Sequence, residues 1–218
     1  MLDLLAEKHP ARNFVGIEIR PKLVEEANER NQSRPNVHFI AGNFSSMEAK
    51  RLIDSFQGIC PIEWICFQFP DPWRKKKKQQ RRRILQQGLV DVLASSCEIG
   101  TRIYVSTDVK DLAVDNRTLL AGSTQLKLVV EEGQEKGQEK GQEKGQEKGQ
   151  EKGQEEEAPM GSTTTTTGSV QGEDGPRDSG WLNKSVLSVP SERELVCEQD
   201  WRPVWRACFV VCGTEGSR

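Results

Sequence analysis

The apolar positions of the chain change period along its length, and the changes mark out elements. "LDLLAEKH" reads as the end of a helix, and "NFVGIEI" is a short apolar run rich in β-branched residues, the pattern of a buried strand. "PKLVEEANERN" opens with Pro21 at a helix-starting position and carries Leu23, Val24 and Ala27 on one side. "NVHFIAGN" and "WICFQF" are a second and third strand. "RRILQQGLVDVLASSC" is amphipathic, with Ile84, Leu85, Leu89, Val92 and Leu93 in one stripe and Gly100 as a stop. "RIYVSTDV" is a fourth strand, and "LKLVVEE" and "WRACFVVCG" are two more. Strands alternating with helices predict an α/β fold with a mainly parallel sheet. The last two strands are expected to close it as an antiparallel edge hairpin.

Between those two strands the pattern disappears. Residues 133–152 are five identical copies of Gly-Gln-Glu-Lys, and a sixth, incomplete, follows at 153–155. A period of four is too short for a stacked repeat to build a core, and a glycine at every fourth position weakens a helix. The polar bias continues through "GSTTTTTGSVQGEDGPRDSG" to Gly180. Residues 133–180 are therefore expected to be a disordered insertion. It divides one domain into residues 1–132 and a returning part, 181–218.

Composition adds little until it is read locally. The 218 residues carry a formal net charge of -2, which suits one ordinary domain with an appendage. Yet the ten residues Arg74 to Arg83 hold eight positive charges. Taken alone, such a run is also what a solvated face or a nuclear localisation signal looks like. Six cysteines without a CxxC pair, and two histidines, offer no metal-ligand spacing. Cys66, Cys208 and Cys212 lie in apolar runs and are expected to be buried free thiols. No long apolar run or hydrophobic leader is present, so the sequence predicts a soluble intracellular protein with no membrane contact, its compartment (cytoplasm, nucleus or plastid) open.

Candidate chemistry gathers at the ends of the predicted strands, where open α/β sheets bind ligands. Glu18 ends "FVGIE", Asn43 closes "VHFIAGN", Asp71 follows "WICFQFP" and Asp108 follows "IYVSTD". A carboxylate such as Glu18 can accept from both ribose hydroxyls of a nucleoside cofactor, and the Asn43 amide can donate to and accept from an adenine edge. Asp71 stands between Pro70 and Pro72, followed by Trp73 and the basic run.

"FVGIEIRPKLVEEANER", "NVHFIAGN", "FQFPDPWRKKKKQQRRRILQQGLVDVLA", "YVSTDV" and "VPSERE" resemble the tRNA (guanine-N7)-methyltransferases, with the bacterial and organellar branch the closer match. The likeness covers nearly all of 1–132 and 181–218. It implies a Rossmann-like methyltransferase sheet, S-adenosylmethionine as cofactor and tRNA as substrate. By the same resemblance Glu18 would hold the cofactor ribose and Asn43 the adenine side. Asp71 would lie at the methyl-transfer site, and Asp108 beside the target guanine. Ser191 and Glu194, in "SERE", would match the family's Thr-x-x-Glu, which contacts the target base or cofactor. Lys75, Arg82 and their neighbours would bind tRNA phosphates, and Trp73 would pack on a base or sugar. Guanine N7 has a lone pair and no proton to remove, so positioning and electrostatics suffice for its methylation.

The chain departs from the family in two places. The acidic residue and Gly-x-Gly-type turn that precede the helix ended by "LDLLAEKHP" are missing, which implies a truncated sheet lacking its first, central strand and a pocket short of one wall. Gln79 and Gln80 stand where the family has a histidine. Two other readings therefore stay open. One is a non-catalytic RNA-binding remnant. The other is a methyltransferase acting on a small molecule, against which the basic run argues.

Overall fold

A computed structural model describes residues 1–73, 81–130 and 180–213. The expected insertion up to residue 179, and Arg74 to Gln80 of the basic run with Lys75 among them, lie outside the described residues.

The elements follow the apolar pattern. Helix α1 (Leu2–Lys8) precedes β1 (Phe14–Glu18), then α2 (Pro21–Arg30) and β2 (Val37–Ala41). Pro21 sits in the first turn of α2, which buries Val24 and Ala27, while Leu23 stays 38% exposed. Helix α3 (Ser46–Phe56) leads to β3 (Trp64–Gln68). Helix α4 (Gln87–Ser96) leads to β4 (Arg102–Thr107), α5 (Lys110–Ala121) to β5 (Leu126–Val129), and α6 (Glu192–Gln199) to β6 (Trp205–Val211).

Two sheets result. β1 and β2 pair in parallel, Phe14 opposite Val37 and Glu18 opposite Ala41. The other sheet has the order β3-β4-β6-β5. β3 runs parallel to β4, and β6 is antiparallel to both β4 and β5. The fold is thus α/β with a mixed sheet, and the antiparallel return of the last two strands is as expected, β5 forming the edge. Among the described residues, the edges of β1 and β3 that face away from β2 and β4 carry no paired strand. The Arg12–Glu63 ion pair, at 3.0 Å, joins the two sheets' flanks.

The core lies on the four-stranded sheet. Phe209, Ile103, Leu89, Leu93, Leu112 and Leu120 are almost wholly buried, because β6 is covered on both faces and reads as a nearly continuous apolar run. Leu182 donates its N–H to the Arg206 carbonyl at 2.8 Å, so the segment after residue 179 packs on the same sheet. Gly180 is required there. Its φ is +101°, and a Cβ would meet the Arg117 guanidinium at 2.3 Å.

Three expectations need correction. The amphipathic run does not become helical at Arg82. Its helix begins at Gln87, after an extended Gln86, and Leu85 reaches the core from the preceding loop with 3% exposure. Gly100 does not end that helix, which stops at Ser96. It instead turns the chain into β4 with φ +96°. Of the three cysteines expected to be buried, only Cys208 is; Cys66 is exposed and Cys212 half-buried. Cys66 alternates with Phe67 on β3, so the core takes Phe67 and leaves Cys66 outside. All six cysteines are free thiols.

Candidate active site

Parallel pairing places the strand-end residues side by side. The Gly42 N–H donates to the Glu18 carbonyl at 3.1 Å, which sets Asn43 next to Glu18. Phe69 N–H donates to the Ser106 carbonyl at 2.8 Å, which brings the loop carrying Asp71 to the end of β4, just before Asp108.

Glu18 is held by a residue that the pattern did not mark. Arg20 donates from Nε to Oε1 at 2.8 Å and from Nη2 to Oε2 at 3.2 Å, and its backbone N–H donates to Oε1 at 3.1 Å. The Arg20 side chain, followed by its backbone N–H, holds the Glu18 carboxyl below the usual carboxylate range, against the opposing effect of burial. The Arg20 guanidinium is stabilised chiefly by Glu18, and Asp71 adds to the same field. Asp71 is the least of the groups acting on Arg20, whose side-chain contacts are with Glu18. Asn43 and Asp71 are both exposed.

The Asp71 loop is tightly built. Phe69 and Trp73 flank it with φ of +46° and +40°, a left-handed conformation that non-glycine residues adopt at a cost of about 1 kcal/mol each. Arg82 lies over the Trp73 ring, 5.3 Å from its centre. Arg82 is exposed and suits a phosphate. Arg83, expected to do the same, is turned inward: it donates from Nε to the Pro72 carbonyl at 3.0 Å and from Nη1 to Asp115 Oδ2 at 2.6 Å.

Asp108 is enclosed, its side chain 12% exposed. Arg193 of α6 donates to its Oδ2 at 2.6 Å, and Arg202 donates to the same oxygen at 3.1 Å. The Asp108 carboxylate in turn raises the Arg193 guanidinium above its usual range. Burial lifts the Cys197 thiol, with Asp108 contributing.

Ser191 and Glu194 have structural duties at the start of α6. Ser191 Oγ accepts from the Glu194 N–H at 3.2 Å, and the Ser191 N–H donates to Glu194 Oε2 at 3.4 Å, a capping box. Glu194 is 3% exposed, and its Oε1 accepts from Arg206 Nε on β6 at 2.7 Å. Asn43 and Asp71 are thus exposed beyond β2 and β3, and Glu18 is half-buried at the end of β1, while Asp108, Ser191 and Glu194 are woven into the packing of α6. Arg20, Arg83, Arg193, Arg202 and Arg206 were not singled out by the strand-end pattern. Only Arg20, two residues beyond Glu18, carried a local signal.

Among the described residues, two of the cavities lie away from the carboxyl ends of the strands. One, of about 310 Å³, is lined by Arg81, Arg83, Gln86, Asn116 and neighbours. The other, of about 270 Å³, lies at the amino ends of β3 and β4, among Pro61 to Trp64 and Glu98 to Arg102. Neither cavity is lined by Glu18, Asn43, Asp71 or Asp108.

Comparison with known proteins narrows the chemistry. The profile of a family described as "Putative methyltransferase" matches residues 1–159. A tRNA (guanine-N(7)-)-methyltransferase of Synechocystis sp. is 27% identical over 204 residues, covering 93% of this chain and 72% of that protein. Proteins of the same name from Prochlorococcus marinus subsp. pastoris and Thermosynechococcus vestitus are each 37% identical, over 131 and 111 residues. The matched parts cover 57% and 50% of this chain, and 59% and 49% of those relatives. A solved rRNA methylase from Streptococcus thermophilus is 10% identical with a TM-score of 0.39, covering 92% of this chain and 74% of that one, a likeness too remote to bear on the site.

Proposed function

We propose, on the premise that the chain belongs to this methyltransferase family, that it transfers the methyl group of S-adenosylmethionine to N7 of a guanine in tRNA. The observation that carries the reading is the placement of Glu18, Asn43 and Asp71 at or just beyond the carboxyl ends of β1, β2 and β3, where open α/β sheets bind ligands. Asp71 is exposed beyond β3, and Arg20 chelates Glu18 at the end of β1. Glu18 would serve the cofactor and Asp71 the substrate, the separation of roles that methyl transfer between two bound molecules requires. The relatives' shared name supports tRNA as the methyl acceptor.

The residues present fit the cofactor in part. Glu18 is ionised, and each carboxylate oxygen has more than one lone pair, so Oε2 keeps acceptor capacity beside its single bond from Arg20. Glu18 would take the ribose hydroxyls and Asn43 the adenine edge. When bound, the cofactor supplies an electrophilic methyl on a sulfonium. The chain's own residues then orient and neutralise. Asp71 accepts from the guanine amino and ring N–H groups, or offsets the positive charge that N7 gains. No proton leaves N7, so no general base is needed. Arg82 and Lys75 bind phosphates, and Trp73, braced by Arg82, offers its ring to a base or sugar. Asp108 acts from behind, through Arg193 and Arg202.

The test is methyl transfer from labelled cofactor to unmodified tRNA, with the product mapped to guanine N7. Asp71→Ala is expected to lower kcat/KM by about 100-fold or more, the scale of removing one preorganised electrostatic interaction. Transfer to another atom, or an Asp71→Ala variant as active as the parent, overturns the reading. The RNA-binding remnant has one observation in its favour: Arg20 occupies both oxygens of Glu18. That alternative predicts salt-sensitive tRNA binding with no methyl transfer.

A further inference from the structure

We propose that Arg83 is a positioning residue for the Pro70–Trp73 loop and not a ligand for RNA phosphate. The proposal rests on the methyltransferase reading for its kinetic consequence but on geometry for its substance. Arg83 belongs by sequence to the basic run, yet its side chain is only 12% exposed, whereas Arg81 and Arg82 are exposed. Its guanidinium spans two elements. Nε donates to the Pro72 carbonyl at 3.0 Å, and Nη1 donates to Asp115 on α5 at 2.6 Å.

The loop needs such a donor. Pro70 and Pro72 have no N–H, so the chain around Asp71 has few ways to bond to itself. Both flanking residues, Phe69 and Trp73, hold positive φ. Strain of that kind persists only where the surroundings fix the backbone. Phe69 N–H on the Ser106 carbonyl fixes one side. Arg83 on the Pro72 carbonyl fixes the other and ties it to the helix that follows Asp108. Asp115 cancels the Arg83 charge at close range, which leaves little for a phosphate to attract. Arg83 therefore sets where Asp71 stands, without touching the substrate.

The experiment compares the full chain with Arg82→Ala, Arg83→Ala, Arg83→Lys and Asp115→Asn variants. Three readouts are taken: the slope of tRNA affinity against salt, kcat for methyl transfer, and hydrogen exchange at the amides of Phe69, Asp71 and Trp73. Removing a cation that binds one phosphate lowers the salt slope by about 1, which is the expectation for Arg82→Ala. Arg83→Ala is expected to leave the slope unchanged, lower kcat by about 10-fold and speed exchange in the loop, the scale of a misplaced reacting group. Arg83→Lys, a single-point donor, recovers part of kcat. Asp115→Asn is the sharpest arm, since deleting a negative charge tightens tRNA binding on a purely electrostatic account. Here it is expected to lower kcat even where the uncancelled Arg83 charge strengthens tRNA binding, and it carries the test where Arg83→Ala fails to fold. A slope reduced in Arg83→Ala as in Arg82→Ala, with exchange unaltered, overturns the proposal. Absence of methyl transfer in the parent chain sinks the methyltransferase reading alone, because slope and exchange still decide the role of Arg83.

Discussion

The two sheets hold their functional ends in different ways. Beside β4 and β6 of the four-stranded sheet, charges are enclosed, although Asp71 beyond β3 is exposed: Asp108 is gripped by Arg193 and Arg202, and Glu194 by Arg206, with Glu194 3% and Arg206 9% exposed. At the end of β1, Glu18 and Arg20 form an exposed pair, and Val15, Ile17 and Ile19 above it are 39%, 37% and 65% exposed. The side read as facing the RNA base is preorganised by the core. The side read as facing the cofactor is held by local contacts and has an open strand edge. Burial makes the first stiff and costly to disturb. Exposure makes the second adaptable and cheap to disturb.

That contrast can be broken most forcefully at Arg206. Arg206→Ala leaves the Glu194 carboxylate buried without its cation, which costs about 3–5 kcal/mol. Chemical denaturation is expected to show that loss together with a shift of α6 against β6. A loss below about 1 kcal/mol means that Glu194 finds water, and that the four-stranded end is not the enclosed one. Next in size is a pair of truncations. Leu93→Ala, at a wholly buried position, is expected to cost about 2–5 kcal/mol. Ile17→Ala, on the open face of β1, is expected to cost less than about 1 kcal/mol. Similar values for the two positions mean that the face of β1 is covered in solution.

A smaller effect separates two roles of one residue. Ser191 caps α6, and Ser191→Ala is expected to cost about 1 kcal/mol through removal of the cap. If Ser191 also contacts the bound base or cofactor, KM for one of them rises by more than the stability change explains. Ser191→Asp restores the cap but not a neutral hydroxyl, so stability recovered without KM assigns both roles. Recovery of both leaves the cap as its one role.

Strands were legible in this sequence because their apolar runs are short, β-branched and bounded by polar turns. All six appear where that pattern put them, and the strand-end positions of Glu18, Asn43, Asp71 and Asp108 follow from it directly. Helices α3 and α5 were not read. For α3 a signal existed, since Ser45 and Glu48 form a capping box with Glu48 Oε2 accepting from the Ser45 N–H at 3.1 Å. Its apolar stripe is thin, only Ala49 and Ile53 being buried, so periodicity alone passes over it. The start of α4 was misplaced because the stripe runs on through Ile84 and Leu85, although the chain before the extended Gln86 is not helical and Arg83 is bonded to Pro72 and Asp115 there. The arginines that organise the site were illegible for a similar reason. Arg193, Arg202 and Arg206 take their meaning from partners that the fold supplies, and in a chain this rich in charge nothing in their spacing sets them apart; Arg20, two residues beyond its partner Glu18, is the exception.

The smallest expected effect bears on the open end. Arg20 holds Glu18 below the usual carboxylate range. A group whose proton binds less tightly in the folded state adds stability above its unfolded value, about pH 4.5, and that increment disappears as pH falls through the folded value. The pair is exposed, so the increment is slight and screened by salt. Glu18→Gln is thus expected to lower the unfolding midpoint a little at neutral pH, and the variant and parent curves are expected to converge below pH 4.5. High salt shrinks the difference. Curves that remain parallel through the acid range indicate that Glu18 contributes by hydrogen bonding alone. A large neutral-pH loss means that the end of β1 is enclosed in solution as tightly as the end of β4, and the contrast between the two sheets fails.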